Sequence, residues 1–264
     1  MASRGASMVV FAAPSHAARE LLTAMSLDEA TIIVSVSKGI EIESGKRISE
    51  IAKEVLGSSY PFVCLSGPSF AKEVVAGHPT AIVAASKDAA AARTVQNDFS
   101  FENLRIYTNT DVIGTEIGGS VKNVMAIAAG MTNGLGFGAN SVAALITRGL
   151  AEITRLARRE GAQIETLMGL AGLGDLVLTC TGNLSRNRFV GEELGKGKTL
   201  AEITAELNEV AEGINTARAV KKLADRAGLE MPITNEVNAV LYDGKPARDA
   251  VAELMSRPLR EEIN

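Results

Sequence analysis

The 264-residue chain has no tryptophan, two cysteines, two histidines and only 4% aromatic residues. Two cysteines cannot form the disulfide framework of a small secreted scaffold. The cysteines and histidines are scattered, at His16, Cys64, His78 and Cys180, which argues against a metal cage built from these residue types. Neither histidine has the partner pattern of a Ser/His/Asp triad, so we expect both to be structural.

Excess positive charge and long apolar runs are also lacking. Lysine and arginine number 27 against 31 aspartate and glutamate, a formal charge of −4, so we expect no nucleic-acid partner. The apolar runs Met8–Pro14 and Thr31–Val36 are far shorter than the ~18–20 residues of a membrane-spanning helix. No signal-peptide pattern precedes them. We therefore expect a cytoplasmic protein with no membrane insertion and no metal.

A third absence concerns the G-x-G-x-x-G turn that dinucleotide-binding folds carry after their first strand. The first strand-like segment is followed by Ala13-Pro14-Ser15-His16, without glycine. The glycine-rich strings 134–138 and 169–174 have no strand before them, so neither qualifies as a pyrophosphate-binding turn. Either the chain is not a dinucleotide enzyme, or the first βαβ units of such a fold are absent from it.

What the first 110 residues contain is an alternation of two patterns. The strand-like segments are Met8–Ala13, Thr31–Ser37, Phe62–Ser66, Ala81–Ala84 and Arg105–Thr108. The helical patterns between them are His16–Met25, Ile48–Leu56, Ala71–Ala76 and Ala89–Asp98. Short apolar strands alternating with helices indicate a parallel sheet covered on both faces. The pattern predicts a partial, Rossmann-like, doubly wound parallel sheet.

The pattern changes after about residue 111, where strand signals nearly vanish. The predicted helices are Glu116–Thr132, Val142–Glu160, Ile164–Gly169, Arg186–Leu194, Leu200–Leu207, Thr216–Ala227, Asn235–Tyr242 and Ala247–Met255. Gly161, Gly213, Gly228 and Pro232 stand where helices should stop. The chain therefore divides into α/β residues 1–113 and an all-helical domain over residues 114–264.

Lys122 is the most conspicuous polar residue of the helical half. It lies in an apolar helical pattern whose core stripe is Ile117, Val121, Val124, Met125 and Ala128. Gly119 and Ala126 share its own stripe, and their small size would leave space for a ligand against the helix. Burial would lower the pKa of the lysine, which suits proton transfer near neutral pH. The same pattern also fits a lysine that snorkels from a helix edge.

Two further charged residues follow a predicted strand and a glycine-rich turn. Lys38 comes directly after the strand Thr31–Ser37, and the carboxyl end of a parallel strand is where α/β sheets bind ligands. Its cation could stabilise a substrate oxygen or phosphate, or simply lie in water. Asp175 follows Gly172-Leu173-Gly174, which lets its carboxylate approach and favour a charged Lys122. A helix N-cap is the ordinary alternative for this aspartate.

Ser185, Arg186 and Asn187 have the composition of a phosphate clamp. Ser185 can cap the helix that Arg186 begins, and the first amides of a helix favour an anion. Arg186 adds a planar guanidinium and Asn187 an amide donor. From the residues alone, an ordinary capped surface helix is the preferred interpretation.

Nine short strings occur in a fixed order between Met8 and Asp249. They are Ser37-Lys38-Gly39, SGPSFA at 66–71, GGSVKN at 118–123, GLGFGAN at 134–140, LITRGLAE at 145–152, AGLGD at 171–175, LTCTGNLSRNR at 178–188, Glu212-Gly213 and Met231-Pro232-Ile233. Each string alone is weak, but the ordered set closely resembles the bacterial-type NAD(P)-dependent sn-glycerol-3-phosphate dehydrogenases. The resemblance covers nearly the whole chain.

This resemblance implies an oxidoreductase that interconverts sn-glycerol 3-phosphate and dihydroxyacetone phosphate and so supplies phospholipid synthesis. Lys122 would give a proton to the carbonyl oxygen as hydride arrives from NAD(P)H, and remove it in reverse. The implied substrate-binding residues are Lys38, Gly67, Ser69, Lys122, Asp175, Ser185, Arg186 and Asn187. The implied cofactor-binding residues are Lys38, Ala71, Arg186, Val210 and Glu212. NAD or NADP is implied, with NADPH favoured, and the resemblance allows a homodimer.

Two departures from the family leave alternatives open. Ser69 stands where threonine is expected, although it keeps the hydroxyl. Family members carry a glycine-rich turn and roughly two further strands before the segment matching Val9–His16, on the order of 70 residues, so we expect an N-terminally shortened member. The alternatives are a catalytically inactive remnant of the family, because hydride transfer needs a held nicotinamide, and a related β-hydroxyacid dehydrogenase.

Overall fold

The computed structural model describes residues 5–207, 211–259 and 261–262. Its single sheet has the spatial order β1-β2-β3-β4-β5. The strands are β1 (Met8–Phe11), β2 (Ile32–Ser35), β3 (Phe62–Ser66), β4 (Thr80–Ala85) and β5 (Leu104–Asn109). All five predicted strands are therefore present, each shifted by at most two residues at its ends.

Four helices connect these strands. A 3₁₀ turn over Ser15–Ala17 leads into α1, and the helices are α1 (Ala18–Ala24), α2 (Ile48–Leu56), α3 (Ala71–Val75) and α4 (Ala89–Phe99). Asp88 begins α4 because its carboxylate accepts hydrogen bonds from the amides of Ala90 and Ala91. Apolar residues of the helices and strands form two clusters, one around Phe11, Leu22 and Ile51 and the other around Val34, Val63 and Val95.

The sheet is mostly parallel, with one exception. β1 pairs with β2, β2 with β3 and β4 with β5 in parallel, whereas β3 and β4 run antiparallel. A parallel crossover normally needs a helix long enough to return the chain along the sheet. α3 has only five residues, about 7.5 Å of rise, so the chain folds back beside β3 instead. The prediction of a Rossmann-like sheet is confirmed. The prediction that all of its strands run parallel is wrong for the pair β3 and β4.

From Val112 onwards, the described residues form helices and the loops between them. The α-helices are α5 (Val112–Gly134), α6 (Ala139–Arg159), α7 (Ile164–Met168), α8 (Asp175–Thr181), α9 (Arg186–Gly195), α10 (Leu200–Glu206), α11 (Glu212–Ala227), α12 (Pro232–Tyr242) and α13 (Ala247–Ser256). A π-helical turn over Leu170–Gly174 precedes α8. The all-helical second part is confirmed. The predicted boundary after residue 113 falls in the first turn of α5 and stays a prediction.

In the helical half, α8 and the position of Gly213 differ from the predictions. α8 was not predicted, because its short, β-branched segment lacks a helical period. Gly213, expected where a helix stops, lies in the first turn of α11, and Gly228 ends that helix in the left-handed conformation at φ +63°. Gly213 is required there by close packing, since a Cβ would lie 2.7 Å from the carbonyl oxygen of Asn123.

Helix α5 is the centre of the second part. Every residue from Val112 to Thr132 except Ile113 is buried, and α6, α8, α9, α11 and α12 pack around it. Its sequence is accordingly mostly apolar or small on every face. It also carries Lys122 in the middle of the core.

Glycines let α5 and α9 pack backbone against backbone. A Cβ at Gly130 of α5 would lie 2.7 Å from the amide nitrogen of Glu192, and one at Gly191 of α9 would lie 2.9 Å from that of Met131. Gly134 and Gly195 meet in the same way one turn further along. The two helices that carry Lys122 and Asn187 are thereby held at a fixed short separation.

The described residue ranges contain neither a membrane-spanning helix nor a cluster of metal-binding side chains. None of their helices is long and apolar enough to cross a lipid bilayer. Within those ranges, no group of three or more His, Cys, Asp or Glu side chains could hold a metal ion.

Candidate active site

A cavity of about 500 Å³ opens at the carboxyl ends of β1 and β2, against α5, α8, α9 and α11. Its apolar lining residues are Ala12, Ala13, Pro14, Val36, Phe70 and Leu184. Its polar lining, called the polar wall below, includes Lys38, Lys122, Asn123, Ser185, Arg186, Asn187 and Glu212. The site lies where open α/β sheets bind their ligands.

Lys122 reaches the cavity from the interior of α5 and is 6% exposed. Its Nζ donates to Oδ1 of Asp175 at 2.5 Å and to Oγ1 of Thr179 at 2.7 Å. Thr179 in turn donates to the backbone carbonyl of Asp175 at 2.6 Å. These bonds hold the ammonium at one point, so this lysine does not snorkel to solvent.

The environment of Lys122 favours its neutral form. Burial, and secondly the positive charge of Lys38, lower its pKa from 10.5 to about 7, while Asp175 acts in the opposite direction. A group with a pKa near 7 can both give and take a proton at neutral pH.

Gly119, on the same helical stripe as Lys122, makes room for neighbouring side chains and not for a ligand. A Cβ at Gly119 would lie 2.6 Å from Oγ of Ser66 and 3.6 Å from Cγ of Lys38. The space predicted next to Gly119 is therefore filled by those two side chains. The open volume lies instead towards Asn123 and Thr179.

Asp175 joins the two lysines. Its Oδ1 accepts from Lys122, and its Oδ2 accepts from Nζ of Lys38 at 2.6 Å. The carboxylate is 1% exposed and begins α8, but its side chain makes no cap bond to that helix. One carboxylate thus lies between the amines of two lysines.

Lys38 also ties the end of β3 to this cluster. Its Nζ donates to the carbonyl oxygen of Gly67 at 3.0 Å, and the hydroxyl of Ser69 donates to the same oxygen at 3.0 Å. Gly67 has φ +139°, and a Cβ there would lie 3.0 Å from Cα of Ile82, so a side chain is excluded at this turn. The predicted residues Gly67 and Ser69 are thus brought next to Lys38.

The predicted clamp lies on the same cavity. The Ser185 hydroxyl accepts from the amide of Arg188 at 3.2 Å and so begins α9, while Arg186 and Asn187 line the cavity. The amide of Asn187 donates to Oδ1 of Asn123 at 3.0 Å and accepts from the backbone amide of Gly213 at 2.9 Å. The polar wall is thereby a connected network.

Three predicted cofactor residues differ in their placement. Glu212 lines the cavity at the start of α11. Ala71 is exposed at the start of α3 and is not among the described residues that line the cavity. Val210 lies outside the described residues.

Sequence reasoning missed Asn123 and the role of Ser15 in this site. A buried asparagine inside an apolar helix was an available signal for Asn123, because asparagine is a poor helix former. Ser15 donates to Glu212, 197 positions away in sequence, and no local pattern announces such a pair.

Cys180 lies beside the cluster, but its chemistry is inert. It is fully buried, and burial raises the pKa of its thiol to about 12. The thiolate that a nucleophilic cysteine requires is therefore scarce at neutral pH.

The cavity fits a nicotinamide cofactor beside a small anion. Its apolar lining residues can contact a planar ring, and Lys38, Arg186 and the first turn of α9 can bind anionic groups. Lys122 lies on the polar wall of the same volume, where a bound carbonyl or hydroxyl oxygen could accept its hydrogen bond.

Comparison with protein families finds two matches along this chain. Residues 1–92 match the NAD-dependent glycerol-3-phosphate dehydrogenase N-terminus, and residues 111–252 match the NAD-dependent glycerol-3-phosphate dehydrogenase C-terminus. The chain is 54% identical to a glycerol-3-phosphate dehydrogenase [NAD(P)+] of Koribacter versatilis, over 99% of this chain and 79% of that protein.

Solved structures give the same result. The glycerol-3-phosphate dehydrogenase of Coxiella burnetii superimposes with a TM-score of 0.91 at 41% identity, over 95% of this chain and 76% of that one. The yeast glycerol-3-phosphate dehydrogenase superimposes with a TM-score of 0.81 at 26% identity, over 95% and 75% of the two chains.

Proposed function

The chain belongs to the NAD-dependent glycerol-3-phosphate dehydrogenase family, and we propose a role for each polar residue of its cavity in that activity. The function is an NAD(P)-dependent oxidoreductase that interconverts sn-glycerol 3-phosphate and dihydroxyacetone phosphate. One observation carries the assignment of roles. A buried lysine with a pKa of about 7 faces a cavity whose polar wall also holds an arginine and an asparagine at a helix start.

Lys122 is the proposed acid and base. In the direction of reduction, its ammonium donates a hydrogen bond to the carbonyl oxygen of dihydroxyacetone phosphate and transfers the proton as the carbonyl carbon is reduced. In the reverse direction, neutral Lys122 removes the proton from the hydroxyl of glycerol 3-phosphate. The nicotinamide, when bound, supplies or accepts the hydride.

Asp175 and Lys38 hold this lysine in place and adjust its pKa. Asp175 fixes both ammonium groups by hydrogen bonds of 2.5 and 2.6 Å. Lys38, bonded also to the carbonyl of Gly67, adds positive charge where negative charge develops on the substrate oxygen. Gly67 and Ser69 act in this proposal through the position of Lys38.

The phosphate group is assigned to the start of α9. The first amides of a helix and an arginine side chain are both favourable for a dianion. Ser185 caps that helix, and Asn187 is held by Asn123 and Gly213 with its amide on the cavity wall. Phosphate binding here would place the three-carbon body of the substrate towards Lys122.

The cofactor is NAD or NADP. We assign Lys38, Arg186 and Glu212 to the cofactor as well, because the family resemblance implies these contacts and all three line the cavity. NADPH is the form that we favour. Ala71 and Val210 keep their assignment as expectations from the family alone.

We also propose a cytoplasmic location and a homodimeric assembly. The absence of a bilayer-spanning helix from the described ranges is consistent with the first. Light scattering coupled to gel filtration would test the second, since a dimer doubles the chain mass of 27.6 kDa.

The test is oxidation of NADPH by the purified chain with dihydroxyacetone phosphate. We expect oxidation that depends on the phosphorylated substrate and is lost in Lys122→Ala. Equal rates of NADPH oxidation with unphosphorylated 3-oxo acids would favour the β-hydroxyacid dehydrogenase alternative. No oxidation with either substrate, in a chain that remains folded, would favour the inactive alternative.

A further inference from the structure

Ser15 makes a contact that the proposed function does not use. This residue follows β1 and is 3% exposed. Its hydroxyl donates to Oε2 of Glu212 at 2.7 Å, and its backbone amide donates to Oε1 at 3.4 Å. A single residue on the sheet side of the cavity therefore holds both carboxylate oxygens of the first residue of α11.

The contact depends on a glycine in a third segment. A Cβ at Gly39, next to Lys38, would overlap the Ser15 hydroxyl and would lie 2.8 Å from Oε2 of Glu212. The ends of β1 and β2 and the start of α11 therefore meet at one point. Any larger residue at position 39 would push these three segments apart, so the contact requires glycine there.

Hydrogen bonds continue from Glu212 along the cavity wall. The amide of Gly213 donates to Oδ1 of Asn187 at 2.9 Å, and Nδ2 of Asn187 donates to Oδ1 of Asn123 at 3.0 Å. Nδ2 of Asn123 then donates to the backbone carbonyl of Lys38 at 3.4 Å. The start of α11 thereby sets which way the Asn187 amide faces.

We propose that Ser15 is a positioning residue for substrate binding. It holds Glu212 and the first turn of α11, so that Gly213 orients the Asn187 amide towards the phosphate of the substrate. The inference rests on the proposed function, because it takes Asn187 as a phosphate ligand. Ser15 itself makes no proposed contact with the substrate.

The consequence is a change in binding without a change in fold. A hydroxyl donating to a carboxylate is stronger than a neutral hydrogen bond. Its loss would leave the Glu212 carboxylate at a helix start, where the helix dipole still favours it. Ser15→Ala should therefore loosen the start of α11 while the core, centred on α5, stays intact.

The first test measures the affinity of the chain for sn-glycerol 3-phosphate by isothermal titration calorimetry. We expect Ser15→Ala to raise Kd about threefold to tenfold, the range for the net loss of one ordinary hydrogen bond, because the lost bond acts on the substrate only through Glu212 and Asn187. Ser44→Ala is the matched control, because the Ser44 hydroxyl donates to the Glu41 carboxylate away from the cavity. An unchanged Kd in Ser15→Ala, or an equal loss in Ser44→Ala, overturns the proposal.

A second comparison separates positioning from general damage. In a Glu212→Ala background, Ser15→Ala should have no further effect on Kd, because its partner is already gone. Fully additive losses contradict the inference.

Hydrogen–deuterium exchange gives a readout that needs no ligand. Amides at the start of α11 should exchange faster in Ser15→Ala than in the wild type or Ser44→Ala, and unchanged exchange overturns the proposal. If the wild-type chain does not bind sn-glycerol 3-phosphate, the proposed function fails. The exchange experiment still decides whether Ser15 holds α11.

Discussion

Nζ of Lys122 lies 2.5 Å from Oδ1 of Asp175, and both side chains are almost entirely buried. The second oxygen of Asp175 is bonded to Lys38. One carboxylate therefore serves two lysines. The balance of burial, repulsion and attraction in this cluster sets the pKa of Lys122 and leads to the following predictions.

The first prediction concerns the pH dependence of the reaction. Reduction requires protonated Lys122, whose pKa is about 7. We expect the rate of dihydroxyacetone phosphate reduction to be constant well below pH 7 and to fall about tenfold per pH unit above it. Oxidation of glycerol 3-phosphate should show the opposite limb. Initial rates measured against pH in both directions check this. If both rates rise with pH, or both fall, Lys122 is not the acid and base.

Lys38 and Asp175 should shift that limb in opposite directions. Lys38→Gln removes a positive charge that lowers the pKa of Lys122, so the limb should move to higher pH. Asp175→Asn removes a negative charge that raises this pKa, so the limb should move to lower pH. Rate profiles of the two variants measure the shifts, and a common direction would show that the charges do not control Lys122.

Stability should depend on pH through the same lysine. Its pKa is about 7 when folded and 10.5 in the unfolded chain, so between these values the unfolded state binds more protons. This contribution therefore destabilises the fold below pH 7 and is relieved as pH rises, by at most about 1.4 kcal/mol per unit. The unfolding free energy of Lys122→Met, minus that of the wild type, should decrease from pH 7 to 9. A constant difference would contradict the burial of a protonatable amine.

If Ser185, Arg186 and Asn187 bind the phosphate group, loss of Arg186 should weaken the binding of phosphorylated substrate. Arg186→Ala should raise KM for dihydroxyacetone phosphate by about 10-fold to 100-fold, as expected for a charge-assisted contact. The KM for unphosphorylated dihydroxyacetone, measured in parallel, should rise much less, because that substrate has no phosphate for Arg186 to bind. Arg188→Ala is the control on the same helix, because its guanidinium bonds Gly182, Asn183 and Glu192 instead of lining the cavity. Similar KM values for Arg186→Ala and Arg188→Ala would argue against the clamp.

The α5–α9 contact predicts a strong effect on stability. A methyl at Gly130 would meet the backbone of Glu192 at 2.7 Å, so Gly130→Ala should destabilise the fold by about 3 kcal/mol or more. Gly138→Ala meets nothing within 4 Å and should change stability by less than about 1 kcal/mol. Denaturant unfolding of both variants checks the difference, and equal midpoints would count against backbone-to-backbone packing.

The sequence predicted what depends on local pattern. Hydrophobic periodicity and composition predict the five strands and long helices such as α5. Lys38 is found because ligands bind at the carboxyl ends of parallel strands. The reversal of β4 was missed although its cause was visible, because the short helix predicted over Ala71–Ala76 is too short for a parallel crossover. Gly119 was interpreted as ligand space because its neighbours Ser66 and Lys38 come from distant parts of the chain. Contacts between residues far apart in sequence, such as Ser15 and Glu212, have no signature in one sequence.

The central claim is that Lys122 titrates near neutral pH beside the cavity. The most direct measurement is an NMR titration of the side-chain carbons of ¹³C-labelled lysine, with the Lys122 signal identified by its absence in Lys122→Met. It requires neither substrate nor turnover. The account predicts a pKa of about 7 for this one lysine. Titration of Lys122 near 10.5, its ordinary value, would contradict the account.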